Sequence, residues 1–379
     1  MPKKSQQWTA LLGSRDEPTD AVEDYCRLLA NALAQKQCSL EIVRIPWAEI
    51  GWRRALKDFA KRSVDRRGQW VFVQFTPLAW SRHGFTHRFV RMIRLLKRSG
   101  MKVMIVFHDP GFFGGCRLRD RLRRRVQLAV VQRSARVADK IVSTISPECL
   151  PWMQEQSIRR KVTLVPVGSN VSAQTCAEKI PGHVPVVVVF GVSGNNPSEV
   201  GLIGRTLLSA AQVVGRLRLL VFGRGSELAQ PLHAQFRGTA VDLEICGRVS
   251  SERAGVLLGM ADVQLFVRFG LSSRRGSAIA GIACGLPIVG FASHETAFPI
   301  TEAGVRLVPL GDSRGLLREL LAVLCNHSLR ETLAQRSRQA QQQYFSWDHI
   351  AEKYISAIED TSAQEPEYVW MNAKQDDLL

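Results

Sequence analysis

The chain has 379 residues, 45% of them hydrophobic, which is ample for globular cores and points to two domains or one large one. Its net charge of +17 is carried by one half: residues 1–170 hold 32 Lys+Arg against 14 Asp+Glu, and the remainder 19 against 20. No uninterrupted run of about 18 apolar residues exists, so no membrane span is expected. The amino terminus carries too short an apolar stretch for a secretory signal.

In chain order, residues 8–12 read as a strand, 21–34 as a helix and 40–45 as a second strand. A basic amphipathic helix follows at 52–64, then a buried strand at 70–75 (WVFVQF), a helix at 87–97 stopped by Gly100, and a strand at 102–107 (KVMIVF). A long basic helix is expected at 117–137, with Leu118, Leu122 and Val126 on one face, then strands at 140–143 and 162–167. Residues 168–185 are rich in Gly, Pro and polar side chains and read as a linker. A second series begins with the strand 186–190 (VVVVF). It runs through helix 198–214, strands 217–222 and 241–245, helix 251–260, strand 263–267, helix 278–284 and strand 288–291. Helices at 313–326, 328–345 and 347–358 follow, then a polar, acidic tail. Strands alternating with helices predict doubly wound parallel sheets, and two in tandem place their carboxyl ends around one cleft.

Eight cysteines stand at positions 26, 38, 116, 149, 176, 246, 284 and 325, with no C-x-x-C pair and no zinc spacing. They read as reduced thiols of a cytosolic protein, and no metal site is expected. The basic first half calls for an anionic partner. No nucleic-acid recognition motif or interleaved aromatic platform is present, so nucleic acid is not expected. The basic helices point instead to peripheral contact with an anionic membrane leaflet.

Segment 261–291 (ADVQLFVRFGLSSRRGSAIAGIACGLPIVGF) is the most informative. An apolar strand leads through Ser272, Ser273, Arg274, Arg275, Gly276 and Ser277 into a small-residue helix. A helix start flanked by arginines suits a phosphate, because open N–H groups and the helix dipole face the anion. An ordinary crossover with solvated arginines is equally compatible with the same residues.

The order VVVVFGVSG, LRLLVFGRGSE, LEICGRVSSERAGVLLGMADV and segment 261–291 resembles the nucleotide-sugar domain of a glycosyltransferase group. This is the large retaining group of GT-B glycosyltransferases (family-4-like, group 1) that includes bacterial sugar transferases. YFSWDHIAEKYISAI resembles the group's terminal helix, which crosses back onto the first domain; FHDP (107–110) and KVTLVPVGSNV (161–171) match in the amino half. The resemblance covers about residues 8–358. It implies an α/β GT-B fold of two Rossmann-like domains. An acceptor domain would span 1–172, a linker 173–185, a donor domain 186–350, and the crossing helix with its tail 351–379.

The resemblance further implies transfer of a sugar from a nucleotide-sugar donor, a co-substrate rather than a cofactor, to a glycan or lipid-linked acceptor, with retention. Donor contacts fall at Gly191, Gly223, Arg224, Gly247, Arg248 and Ser272–Ser277, acceptor contacts at Gly13 and Trp80, and a catalytic role at His108. The chain also departs from the group. The usual pair of glutamates seven residues apart is replaced by Ser272 and Ala280, the Gly-rich stretch after the first strand is absent, and the Arg…Lys pair after the strand 186–190 is replaced by Val192 and Asn195-Asn196. Arg224, Arg274 and Arg275 are the candidates to supply the missing positive charge. Two other readings remain open: a non-catalytic scaffold that binds a nucleotide sugar, and a GT-B-fold sugar epimerase.

Overall fold

The computed structural model describes residues 6–15, 20–62, 66–111, 117–171, 182–193 and 197–360. Most of the expected linker, Asn195-Asn196 and the acidic tail lie outside the described residues.

The first half runs β1 (Gln6–Leu12), α1 (Ala21–Gln35), β2 (Cys38–Arg44), α2 (Trp47–Ile50), α3 (Trp52–Arg62), β3 (Trp70–Phe75), α4 (His87–Arg98), β4 (Lys102–Phe107), α5 (Leu118–Val137), β5 (Lys140–Ser143), α6 (Gln156–Arg159) and β6 (Val162–Leu164). The six strands pair in parallel in the order β2-β1-β3-β4-β5-β6. Helices cover both faces of such a sheet, which is why β3 and β4 are apolar at almost every position instead of alternating. Gln74 is the polar exception in β3, buried at 1% exposure and placed near the strand's carboxyl end.

The second half runs β7 (Val186–Phe190), α7 (Pro197–Val214), β8 (Leu217–Phe222), α8 (Pro231–Phe236), β9 (Val241–Gly247), α9 (Ser251–Met260), β10 (Val263–Phe266), α10 (Gly276–Ala283), β11 (Ile288–Ala292), β12 (Val305–Pro309), α11 (Ser313–Cys325), α12 (His327–Ala340) and α13 (Trp347–Glu359). Its six strands are also parallel, in the order β12-β11-β10-β7-β8-β9. The two doubly wound domains read from the sequence are thus present. β12 and the short helices α2, α6 and α8 are additions that no periodicity announced. Of the described cysteines, Cys26, Cys38 and Cys284 are buried, Cys149 and Cys246 half-buried and Cys325 exposed.

One helix face differs from expectation. Leu118 and Leu122 of α5 are exposed, and the helix packs instead through Gln127, Val130, Val131, Ser134 and Ala135.

Helix α13 follows one turn of π-helix at Gln341–Phe345 and starts at Trp347, where the sequence places the last helix. It packs on the first domain: Ile350, Ala351 and Tyr354 are fully buried in one cluster with Trp8, Leu12 and Tyr25. Tyr354 and Tyr25 share a hydroxyl hydrogen bond of 3.1 Å, and Trp347 Nε1 donates to the Ser169 carbonyl at 2.7 Å. Replacing Tyr354→Ala should therefore cost about 3–5 kcal/mol, the usual penalty for emptying an aromatic core site, and Tyr354→Phe only about 1 kcal/mol for the lost hydrogen bond. Urea unfolding of the two variants checks this; equal losses would contradict the packing role assigned to the ring.

Candidate functional site between the domains

The carboxyl ends of both sheets open into a cleft of about 860 Å³. Gly13, Gln74, Thr76 and Asp109 line it from the first domain, and Arg274, Arg275, His294 and Glu295 from the second. Gly13 follows β1 where loop 76–80 presses in: a Cβ there would stand 2.1 Å from the Ala79 carbonyl oxygen. On the same side Arg44 donates to the Gly13 carbonyl at 2.8 Å and pairs with Asp20 and Glu23 at 2.9 and 2.7 Å. Arg44 is therefore already satisfied by protein carboxylates.

The segment after β10 ties the domains together. Ser273 Oγ donates to the Thr144 carbonyl at 2.7 Å, and the Val167 amide donates to the Ser273 carbonyl at 3.1 Å. Arg274 grips Glu295 with Nε and Nη2 at 2.8 and 2.9 Å, and its Nη1 reaches Asp109 of the first domain. Ser272 Oγ adds a 3.3 Å bond to Glu295 Oε2. Burial pushes the Glu295 carboxyl up, and the hydrogen bonds and charge of Arg274 more than offset this, leaving it below the usual carboxylate range. This guanidinium is spent on two carboxylates, so the expected free pair Arg274/Arg275 is in fact one clasp and one open cation.

Arg275 has no such partner. Its Nε is buried without a hydrogen-bond acceptor among the described residues. Burial, followed by the like charge of Arg274, pushes its pKa down to about 10, so it remains protonated at neutral pH. It caps the start of α10, whose first amides, those of Gly276 and Ser277, have no acceptor within the helix. A Cβ at Gly276 would meet nothing within 4 Å, so the approach is open.

The other donor candidates stand at the ends of the neighbouring strands and do not line the cleft. Gly191, Gly223 and Gly247 end β7, β8 and β9, and Gly223 N donates to the Gly247 carbonyl at 2.8 Å. Gly223 has φ +92°, and a Cβ there would strike the Phe190 ring at 2.7 Å. Arg224 and Arg248 are exposed in the turns that follow. Ser272 and Ser273 are almost fully buried, so their hydroxyls act within the protein and not toward open space.

His108 stands behind the cleft wall. Gln74 Nε2 bonds the Phe72 carbonyl at 3.3 Å, so its Oε1 accepts from His108 Nε2 at 2.7 Å, which fixes the Nε2–H tautomer. The ring also meets Tyr25 edge-on at 4.9 Å. Burial pulls its pKa down to about 4 against a small opposing pull from Asp20, so it is neutral at physiological pH. Gln74, not His108, lines the cleft.

Trp80 requires correction. It was expected in the acceptor cleft, yet it is 1% exposed, packs among Trp52 and Phe89, and donates through Nε1 to the Gln74 carbonyl at 2.7 Å. Its indole finds both apolar neighbours and a carbonyl acceptor inside the domain.

One residue of the cleft lining, Glu295, and two outside it, Arg268 and Glu199, were not singled out in the sequence. Glu295 lies in the loop after β11. Arg268 crosses Gly191, with Nη1 3.1 Å from where a Cβ would stand. Glu199, near the start of α7, is 2% exposed and accepts from the Ser193 amide at 3.2 Å. A cation in the loop after β10 was a visible signal for Arg268; nothing local marked the two glutamates.

Two facing doubly wound domains, a cleft at their strand ends and a last helix returning to the first domain define the GT-B fold. No family model matches the chain. The resemblance read from its motifs nonetheless holds in sequence and in fold. The chain is 26% identical over 230 residues to the phosphatidyl-myo-inositol mannosyltransferase of Mycobacterium leprae (strain TN), an alignment covering 58% of this chain and 60% of that protein. In structure it is similar to sucrose-phosphate synthase from Thermosynechococcus elongatus (TM-score 0.68, 18% identity, 95% of this chain and 100% of that one). It is also similar to Anabaena HepE solved with UDP and glucose (TM-score 0.63, 12% identity, 93% and 99%).

The state of His108 has a measurable consequence. With a folded pKa of about 4 against 6.5 unfolded, unfolding takes up a proton between those values. Stability should fall as pH drops from about 6.5 toward 4 and be insensitive to this group above 6.5. His108→Gln removes that part of the acid sensitivity. Urea unfolding of both proteins at neutral and mildly acid pH checks it; identical acid losses would show that His108 is not held neutral.

Proposed function

We propose that the chain transfers a sugar from a nucleotide-sugar donor to a glycan or lipid-linked acceptor. The observation that carries this reading is Arg275: a guanidinium at a helix start in the interdomain cleft, with no carboxylate bonded to it. A half-buried, uncompensated cation there favours a bound anion, and the diphosphate of a nucleotide sugar meets both it and the α10 amides. The fold, the mannosyltransferase similarity and the UDP and glucose of the HepE structure agree with that choice of anion.

In this reading the second domain holds the donor with Arg275, Gly276 and Ser277, with Arg268 above Gly191 in place of the missing Arg…Lys pair. Arg224 and Arg248 lie further along the same rim. Positive charge at the diphosphate stabilises the leaving group as its bond to the sugar lengthens. Gly13 and Thr76 face the acceptor side. His108 acts through Gln74: its Nε2–H fixes the amide whose side chain meets the cleft, which makes it a positioning residue. Glu295 is held by Arg274 and is not free to act as a nucleophile, so attack on the donor assisted by the departing phosphate is the route that fits, with retention following the resemblance.

A non-catalytic scaffold is the second reading. It is favoured by the Ser272 and Ala280 replacements, both buried.

Thermal shift of the purified protein with UDP, GDP and ADP tests the donor site. A nucleotide bound at about 100 times its Kd stabilises by about 2.7 kcal/mol, a rise of several degrees. The rise should appear with one of the three and vanish in Arg275→Ala. No rise with any of them, or a rise that survives in Arg275→Ala, would contradict the assignment.

A further inference from the structure

The loop that walls the cleft at Ala79 walls a second hollow, of about 320 Å³, at Trp80, Ser81 and Arg82. Trp47 and Trp52 form its floor, stacked at 5.2 Å with their planes 19° apart, and both are less than a tenth exposed. The rim is Arg82, His87 and Arg88, all exposed, and no Asp or Glu lines the hollow. Helices α3 and α4, of 11 and 12 residues, both begin at it, so two positive dipole ends converge there. Their outer faces continue the charge: Arg53, Lys57, Arg91 and Arg94 are exposed and form no ion pair among the described residues.

An aromatic floor with a basic rim that holds two arginines and no acid, set in a wider field of cations without ion pairs among the described residues, suits an anionic surface. We infer that this hollow seats the phosphate headgroup of an anionic phospholipid, and that α3 and α4 rest on the membrane around it. Arg88 and the donors of Arg82 not given to the Ala48 carbonyl bond the phosphate, the indoles meet the glycerol and upper chain region, and the flanking cations meet neighbouring headgroups. The shared loop then places the cleft mouth beside the lipid surface, where a lipid-linked acceptor would present its sugar. The inference stands on the hollow and its charge, independently of the transfer reaction.

The competing surface is the start of α5, where Leu118 and Leu122 are exposed among Arg119, Arg121, Arg124 and Arg125. Those arginines are spread around the helix and line neither the cleft nor the hollow.

Vesicle co-sedimentation of the full chain at low salt separates the two surfaces. The probes are phosphatidylcholine vesicles with and without phosphatidylglycerol. Capture is expected only with the anionic lipid, and R82E/R88E should reduce it about tenfold or more, since each basic residue at the surface contributes substantially. Arg88→Gln, which adds no negative charge, should give a smaller loss in the same direction. R124E/R125E on α5 should retain most of the capture. The proposal is overturned if neutral vesicles bind equally, if R82E/R88E binds like wild type while its melting temperature is unchanged, or if only the α5 variant loses binding. Full displacement by inorganic phosphate would make the hollow a site for free phosphate and also overturn the membrane seat.

Discussion

The Asp109–Arg274–Glu295 bridge is the interaction on which the site depends. It joins the end of β4 in one domain to the loops after β10 and β11 in the other. A guanidinium with little exposure needs every donor directed at an acceptor, and here two carboxylates and a fixed fork meet that need. Ser273, one residue before, adds a neutral strut to Thr144. Domain spacing at the cleft is thus set by side chains from the same short segment that opens α10.

The bridge also divides the labour of two adjacent arginines. Arg274 is neutralised by protein acids, while Arg275, facing the same cleft, is not. Had Glu295 been absent, two unpaired cations would stand side by side and repel each other; had a second acid been present, none would remain for a ligand. Arg268, in the loop after β10, stands over Gly191 just past β7, where the resemblance led one to look for an Arg…Lys pair.

Much of the fold was legible because a parallel sheet covered on both faces writes itself as apolar runs: WVFVQF, KVMIVF and VVVVF each became a strand at the expected position. β12 was not legible, since VRLVP is a short, half-exposed edge strand whose pattern differs little from a loop. The site was legible only in part. The helix start at Ser272–Ser277 was visible as a local signal, but which of Arg274 and Arg275 is free depends on Glu295, 21 residues beyond Arg274. Trp80 reads the same in sequence whether it turns to the cleft or to the core, because only the tertiary partners Trp52 and Phe89 decide.

The central claim is that this cleft turns over a nucleotide sugar although positions 272 and 280 carry no carboxylate. The direct measurement is release of nucleoside diphosphate from UDP-, GDP- and ADP-sugars, with lipid extract supplied as acceptor and Arg275→Ala run alongside. The account predicts release from one donor class by the wild type, and loss of that release in Arg275→Ala. A wild type that binds the nucleotide yet releases none with any donor would contradict it and leave the chain as a binding scaffold.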